Sequence, residues 1–265
     1  MAEMIPDRMP SGSSKGEKRL FDMLQNLPDD YLVYYEPIIA NRYPDFVLIC
    51  PDLGVLIIEE KGWKHGQLIA GDNQTITISD HRGLETQHRH PIRQAREYMY
   101  SLMDALRQVP GGQRLLQESG EHKHHFAFPF GHFAVLGNIT AEHLTRTAAG
   151  DMTALFPSNK VVTRDQLLEW EEQNLSGTEL VKTLKNYFDP FWQIEPLNED
   201  QIKILRAAIH PEVRIVQPKK ELEPKNTVIT DKEEDISLKV LDTRQENHAR
   251  NIGDGHRIVY GVAGS

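Results

Sequence analysis

Acidic residues and a lysine lie at the ends of neighbouring apolar segments in the first quarter of the sequence. Asp45 directly precedes the apolar residues 46–50, and a pair of glutamates followed by Lys61 ends the apolar residues 55–58. Charged side chains at the rim of a buried sheet cost several kcal/mol unless a metal, a ligand or solvent compensates them. One or two carboxylates, several waters and a phosphate suit Mg²⁺, so we expect Asp45 to share a magnesium site with a glutamate.

The period of a strand decides which glutamate can act together with the lysine. Successive side chains point to opposite faces, so Glu59 and Lys61 lie on one face and Glu60 on the other. A four-residue hairpin loop at residues 51–54 would place Asp45 opposite Glu60, whereas a three-residue loop or a β-bulge would place it opposite Glu59. We predict the second arrangement, because only Glu59 shares a face with Lys61. The lysine could then orient an attacking water or stabilise charge that develops on a phosphate.

The segments around this cluster predict an α/β sandwich. Ser14 and Glu17 form a capping-box pattern that predicts the start of a helix. Pro91 begins a second stretch with helical spacing of apolar residues, which continues to Leu106. Apolar or alternating stretches predict strands at residues 31–35, 46–50, 55–58, 75–79 and 133–136. The order helix, three or four strands, helix, strand indicates a mixed sheet covered by helices.

The remaining sequence divides into segments of different composition. Residues 1–13 are rich in Pro, Ser and Met and have no apolar periodicity, so we expect a flexible tail. An accessory region at residues 141–212 is predicted to be helical. Its capping-box patterns begin at Thr163, Ser176 and Asn198. Residues 213–240 are rich in Pro and charge with few apolar anchors, which indicates a charged linker.

Four pieces of the sequence, in this order, resemble the NERD family, a nuclease-related domain of the PD-(D/E)XK nuclease superfamily. They are Gly16-Glu17, Pro44-Asp45, Glu59-x-Lys61-Gly62-Trp63 and Pro91-x-x-Gln94. The resemblance places this domain at residues 14–140. It implies a restriction-endonuclease-like αβββαβ sandwich with a mixed sheet, which cleaves DNA with Mg²⁺ or Mn²⁺.

The resemblance also implies a role for each matching residue. Asp45 and Glu59 would be the metal ligands, and Lys61 would be the catalytic lysine. Glu17 and Gln94 would be supporting residues of the active site. From the sequence alone, Glu17 is equally well explained as a helix-capping residue and Gln94 as an exposed helix residue.

A mildly basic stretch adjoins the second predicted helix. Arg89, Arg93 and Arg96 lie beside His88 and His90 and could contact phosphate groups. The chain as a whole is acidic, with 30 Lys and Arg against 39 Asp and Glu and a net charge of −9. This balance excludes a generally basic nucleic-acid coat protein but leaves room for a local basic groove.

Residues 241–265 resemble the start of a superfamily-1 helicase or a related P-loop ATPase. A short apolar strand, residues 258–260, runs into a glycine-rich turn of the kind that begins a phosphate-binding loop. The resemblance implies that Gln245 contacts adenine and that Gly261 and Gly264 belong to the first half of this loop. The Gly-Lys-Ser/Thr that completes it is absent from the 265 residues, so we expect ATP binding only together with a helicase domain in cis.

Composition excludes several other classes of protein. A single cysteine, Cys50, excludes a disulfide scaffold and a cysteine-based zinc site. No apolar run approaches the roughly 20 residues of a membrane helix, and the first residues lack a signal peptide, so we expect a cytoplasmic protein without membrane contact. The sequence thus predicts a Mg²⁺-dependent nuclease module that acts on DNA within a nuclease–helicase protein. The alternative is a non-catalytic DNA-binding or partner-docking module with a vestigial acidic site, and the oligomeric state stays open.

Overall fold

The computed structural model describes residues 1–10, 12–173, 175, 177–188 and 195–209, and the backbone of residues 212–214 and 240–242. The chain divides into two units, Met1–Ile209 and His210–Ser265, which we describe separately. In chain order, the strands of the first unit are β1 (Glu3–Ile5), β2 (Leu32–Tyr35), β3 (Phe46–Cys50), β4 (Gly54–Glu60), β5 (Leu68–Gly71), β6 (Thr75–Ser79), β7 (Glu85–Arg89), β8 (Phe130–Leu136) and β9 (Val161–Thr163). Its helices are α1 (Lys15–Leu24), α2 (Pro91–Gln108), α3 (Ala141–Leu144), α4 (Arg164–Glu172), α5 (Gly177–Lys185) and α6 (Glu199–Ile209).

A six-stranded mixed sheet in the order β1-β2-β3-β4-β8-β9 forms the centre of the first unit. Strands β2, β3 and β4 pair antiparallel, whereas β1 runs parallel to β2, β8 to β4, and β9 to β8. The elements α1, β2, β3, β4, α2 and β8 follow one another in the predicted αβββαβ order, interrupted by a small second sheet. The prediction of an α/β fold with a mixed sheet is therefore confirmed.

Helices cover both faces of the central sheet, which explains why its middle strands read as continuous apolar runs. On one face, Leu48 and Ile58 join the cluster that contains Leu20 of α1. On the other face, Val47 and Ile57 join a cluster with residues of α2. Every residue of β3 and β4 is buried, including the glutamates at the end of β4.

The amino-terminal segment corrects the expectation of a flexible tail at residues 1–13. Residues Glu3–Ile5 form β1, which pairs with β2 at the edge of the central sheet. Met4 is buried in the same cluster as helix α1. A strand of three residues is too short to show an alternating pattern, so its pairing cannot be read from the local sequence.

The segment predicted as a helical accessory region, residues 141–212, contains helices α3, α4, α5 and α6 and also one strand of the central sheet. Capping by Thr163 and Asn198 begins α4 and α6, while Ser176 lies outside the described residues. Strand β9 extends the central sheet beside β8, and Leu167 of α4 lies in the core cluster of α1. A capping box marks where a helix begins and carries no information about what the helix packs against.

A second, three-stranded antiparallel sheet, β5-β6-β7, was predicted only in its middle strand. Strand β7 has the sequence ETQHR and all five of its residues are exposed, so it lacks the apolar alternation that indicates a strand. This sheet lies in the chain between β4, which ends one residue before Lys61, and α2, which carries Gln94.

The second unit is described only in part. Strands β10 (Glu212–Arg214) and β11 (Val240–Asp242) pair antiparallel, so the two ends of the predicted linker at residues 213–240 belong to strands. The rest of the linker lies outside the described residues. Within the described ranges of the whole chain, no helix combines the length and the apolar character needed to cross a membrane.

Candidate active site at the end of strand β4

The β3–β4 hairpin brings Asp45 and Glu59 together. Its loop has three residues, 51–53, because Cys50 pairs with Gly54. Phe46 pairs with Ile58 at the other end, so the next position along the register places Asp45 opposite Glu59. Asp45 Oδ2 accepts a hydrogen bond of 2.6 Å from the backbone N–H of Glu60. The prediction of a three-residue loop that aligns Asp45 with Glu59 is thus confirmed.

Two polar side chains converge on one oxygen of Glu59. Lys61 Nζ lies 2.5 Å from Glu59 Oε1, as expected for residues on the same face of β4. Gln94, from the first turns of α2, donates from Nε2 to the same oxygen at 2.5 Å and to the Tyr98 hydroxyl at 2.9 Å. Glu59 Oε2 is buried and has no hydrogen-bond partner among the residues that the structure describes. Four of the five predicted catalytic residues therefore meet in one cluster.

Burial sets the protonation of this cluster. It raises the pKa of Asp45 to about 8, with a further contribution from the negative charge of Glu59. It also raises the pKa of Glu59, although the charge and hydrogen bond of Lys61 oppose the effect. Burial by itself would lower the pKa of Lys61, but the charge and hydrogen bond of Glu59 and the charge of Asp45 together outweigh this effect, and the pKa is raised. Without a cation the cluster therefore favours a proton on a carboxylate and an ammonium on Lys61.

Glu17 lies with Glu60, toward the opposite face of the sheet. Its Oε2 accepts a 2.5 Å hydrogen bond from the Ser14 N–H, which completes the predicted capping box of α1. Ser14 Oγ in turn lies 3.3 Å from Glu60 Oε2. Burial raises the pKa of Glu60 to about 7, and the charge of Glu17 adds to this. The same charge makes a small contribution to the raised pKa of Asp45, so the supporting role of Glu17 stays a prediction.

Glu60 occupies a slot between two glycines, a feature that sequence reasoning missed. A Cβ on Gly16 would lie 2.1 Å from Glu60 Oε1, and one on Gly137 would lie 2.3 Å from the same atom. That oxygen is buried without a hydrogen-bond partner in the described part of the chain. The only available signal was a glycine in the first turn of a helix and another after a core strand. Neither glycine points to its distant partner.

The cluster fits a hard divalent cation with few protein ligands. No group of three or more His, Cys, Asp or Glu side chains in the described ranges could hold a metal. Asp45 and Glu59 supply two carboxylates, and one carboxylate oxygen of Glu59 accepts no hydrogen bond from a described residue. The N–H and C=O groups of one strand residue point toward the same neighbouring strand. Because the Glu60 N–H donates to Asp45, the Glu60 carbonyl points to the same side as Asp45. Mg²⁺ takes one or two carboxylates, with waters and phosphate oxygens completing its octahedron.

Three arginines surround Glu97 on helix α2, one turn beyond Gln94. Arg89 and Arg93 lie 2.7 and 2.8 Å from the Glu97 carboxylate, and Arg42 lies 3.9 Å from it. One carboxylate cannot neutralise three guanidinium groups, so this surface keeps a positive charge. His90 does not belong to it, because this residue is buried, contacts the Leu155 carbonyl and stacks on the ring of Phe156.

The predicted nucleotide-binding residues are not tested by the structure. Gln245, Gly261 and Gly264 lie outside the described residues. Cys50 is buried, as its position at the end of an apolar strand predicts. Trp63 is also buried, and it packs in a cluster with Leu68 of the small sheet.

Comparison with known proteins gives one match. Residues 12–130 match the family model of NERD, the nuclease-related domain. No curated protein and no solved structure matches the chain. The match of residues 12–130 implies a nuclease-related function, and the matched segment contains all five residues that the sequence predicted as catalytic.

Proposed function

We propose that the chain is a divalent-metal-dependent phosphodiesterase that cleaves DNA at the Asp45, Glu59 and Lys61 cluster. The observation that carries this proposal is the convergence of Lys61 and Gln94 on Glu59 beside Asp45, within the segment that matches a nuclease-related domain. Paired carboxylates also occur in glycosidases, but a lysine bonded to one of them has no evident role in that chemistry.

The cation would be Mg²⁺ or Mn²⁺, held by Asp45 and Glu59. When bound, it would supply positive charge that polarises the phosphodiester and makes a nearby water more acidic. Burial raises the pKa of both carboxyl groups, and the charge of Lys61 lowers the pKa of both without cancelling the effect of burial, so a further positive charge would stabilise their ionised forms. A cation would take the place of the proton that these groups otherwise hold.

Lys61 acts as a hydrogen-bond donor in this proposal. Its raised pKa keeps it as an ammonium, which has three N–H donors and no acceptor. The bond to Glu59 uses one donor and fixes the direction of the others. The remaining donors are suited to orient an attacking water or to stabilise charge on the phosphate oxygens. Gln94 donates a hydrogen bond to the same oxygen of Glu59 and helps to hold its carboxylate in place.

DNA is the substrate that the surroundings of the site favour. The net charge of −9 opposes general attraction to a polyanion, so any DNA contact depends on local positive surfaces. Arg42, Arg89 and Arg93 form such a surface beside Gln94, and arginines bind phosphates through two parallel hydrogen bonds.

Incubation of the full chain with plasmid and single-stranded DNA in the presence of Mg²⁺ or Mn²⁺ tests this proposal. We expect cleavage by the wild type and loss of at least about 100-fold in rate for Lys61→Ala and Asp45→Asn. Lys123→Ala, which removes an exposed lysine elsewhere, is the control and should cleave normally. Undiminished cleavage by Lys61→Ala would contradict the role of the lysine. The non-catalytic alternative would be favoured if the chain binds DNA but neither cleaves it nor binds a divalent metal in calorimetry.

We also propose that residues 241–265 begin a helicase-type nucleotide-binding domain in cis. The support is the sequence pattern that contains Gln245, Gly261 and Gly264. Such a domain needs a Gly-Lys-Ser/Thr sequence, whose lysine contacts the β- and γ-phosphates and whose hydroxyl group contacts Mg²⁺, and residues 241–265 do not contain it. The 265 residues should therefore hydrolyse no ATP. Measurable ATP turnover by this chain would overturn the assignment.

A further inference from the structure

A second cleft lies beyond the ends of strands β4 and β8, outside the cluster described above. Its volume is about 470 Å³, and it is lined by Lys64, His65, Gln67, Asn138, His143 and Arg164. None of the lining residues that the structure describes is acidic. In a chain of net charge −9, a cleft lined by basic and amide side chains is a marked local departure from the average.

The two permanent cations of this cleft are available to a ligand. Lys64 and Arg164 are exposed, and neither makes an ion pair with a residue of the described part of the chain. Two acidic residues that adjoin lining residues in the sequence have polar partners of their own. Asp165 accepts a 3.1 Å hydrogen bond from the Ala141 N–H, and Glu142 pairs with an arginine at 3.2 Å.

Two histidines add hydrogen-bond donors to the same wall. The rings of His65 and His143 stack with their centroids 4.2 Å apart and their planes at 19°. His143 Nδ1 lies 3.3 Å from the Thr140 N–H and accepts from it. A neutral His143 ring therefore carries its proton on Nε2, which makes that atom a donor. The cleft thus combines two fixed positive charges with imidazole and amide donors, a set that suits phosphate oxygens.

The cleft is joined to the catalytic strand by a short connection. Asn138 Nδ2 donates a 2.8 Å hydrogen bond to the Gly62 carbonyl, next to Lys61. Lys64 follows Lys61 by only three residues, so their Cα atoms lie within about 11 Å of each other. Successive phosphates of one DNA strand advance about 3.4 Å along the helix axis. The cleft therefore lies within a few phosphates of the cluster that would cut the strand.

We propose that this cleft binds the phosphate backbone of the DNA strand a few nucleotides from the cleaved bond. The inference rests on the proposed nuclease function, because it takes the cluster at Glu59 as the cutting site. Lys64 and Arg164 would contact phosphate oxygens directly, and the Asn138 bond to Gly62 would keep the cleft in register with Lys61. Such contacts position the strand and carry no sequence preference.

Fluorescence anisotropy of labelled duplex DNA with the full chain in EDTA, at several salt concentrations, tests this proposal. For Lys64→Ala/Arg164→Ala we expect a loss of about 10-fold or more in affinity. The slope of log K against log salt should also fall by about one to two. Circular dichroism should be unchanged, because both side chains are exposed.

The double variant Lys123→Ala/Lys182→Ala is the matched control. It removes the same charge near the start of β8. Lys123 precedes this strand in the chain. Helix α5, which carries Lys182, is followed by Phe188, and Phe188 pairs with Gly131 at the start of the strand. The cleft lies past the other end of β8, about 20 Å away. We expect the control to change the affinity less than 2-fold. Equal affinity and salt slope in the two double variants would overturn the proposal.

The two proposals fail in different experiments. Absence of cleavage by the wild type with Mg²⁺ counts against the nuclease, whereas the binding measurement contains no metal and needs no cleavage. Inorganic phosphate serves as a second probe of the cleft. Suppose that phosphate raises the Tm of the wild type but not of Lys64→Ala/Arg164→Ala, and that this variant binds DNA as tightly as the wild type. This result would assign the cleft to free phosphate and overturn the DNA assignment.

Discussion

Glu59 and Glu60 are neighbours in strand β4, but they face opposite sides of the central sheet and have different surroundings. Both are buried, with exposed fractions of 1% and 6%, and each has one oxygen without a hydrogen-bond partner among the described residues. Glu59 meets Lys61 and Gln94. Glu60 meets the hydroxyl group of Ser14 at the beginning of α1.

The difference between the two sides lies in how each carboxylate is compensated. On the Glu59 side a lysine supplies positive charge, and Asp45 adds a second carboxylate that a cation can share. On the Glu60 side no lysine or arginine among the described residues forms an ion pair with the carboxylate, which instead lies against the positive end of helix α1. The two adjacent glutamates therefore differ in their surroundings, because Glu59 adjoins a lysine and a second carboxylate whereas Glu60 lies against the start of helix α1.

Replacement of each glutamate by glutamine should give the largest difference between the two sides of the sheet. We expect Glu59→Gln to lower the rate of DNA cleavage with Mg²⁺ by about 100-fold or more, because it removes a charged ligand of the cation. Glu60→Gln keeps the shape of the side chain in the slot and should lower the rate less than about 10-fold. The measurement is initial cleavage rate at saturating DNA. Similar losses in both variants would show that the two faces act as one site.

Filling the slot around Glu60 should destabilise the fold. Gly137→Ala would place a Cβ 2.3 Å from Glu60 Oε1 and 3.0 Å from the Cα of Gly16, so we expect a loss of about 1–3 kcal/mol in the free energy of unfolding by urea. Gly66→Ala is the control, since nothing lies within 4 Å of its Cβ position.

A double-mutant cycle checks that the slot is the cause of this loss. Gly137→Ala should cost clearly less when Glu60→Ala has already removed the carboxylate. Equal costs in both backgrounds would mean that the glycine is required for another reason.

Stability in EDTA should fall as the pH rises from about 5 to about 8.5. The pKa of Asp45 in the folded chain, about 8, and that of Glu60, about 7, lie above the values near 4 of the unfolded chain. Between these values the folded chain holds protons that the unfolded chain has released, so stability declines with rising pH. Each kcal/mol lost lowers Tm by about 2–4 °C in a chain of this size.

Mg²⁺ should restore Tm at pH 8.5 but not at pH 5, where protons occupy its ligands. Variants on the two faces of the sheet should respond to Mg²⁺ differently. Glu60→Gln should keep the stabilisation by Mg²⁺, whereas Asp45→Asn should lose it and also flatten the pH dependence. A Tm that rises with pH in EDTA would contradict the raised pKa values.

The smallest expected difference is between variants of Gln94 and Ser14, which donate hydrogen bonds to Glu59 and Glu60, respectively. Gln94→Ala should lower cleavage about 10-fold with little change in Tm, because it releases the Glu59 carboxylate at the edge of the site. Ser14→Ala should cost about 1 kcal/mol through loss of the helix cap and leave cleavage nearly unchanged. The reverse pattern, with Ser14→Ala the more harmful to cleavage, would place Glu60 in the active site.

Much of the site could be predicted because its signals are local. Asp45 and Glu59 stand at the ends of apolar runs joined by a short loop, and strand alternation puts Lys61 on the face of Glu59. The meeting of Gln94 with Glu59 spans 35 residues and was predicted only through resemblance to a family. The Glu60 slot was not predicted at all, since Gly16 and Gly137 become its walls only when a helix and a distant strand pack together.

The same limit applies to the fold. Capping boxes and apolar periodicity specify the starts of helices and the cores of strands, because these signals act over a few residues. These local signals do not specify which other helix or strand each element packs against or pairs with. Strand β1, strand β7 and strand β9 are formed by pairing with other strands rather than by a pattern of their own. Local sequence therefore specifies the cluster of Asp45, Glu59 and Lys61, whereas long-range packing brings Gln94 to Glu59 and encloses Glu60 between two glycines.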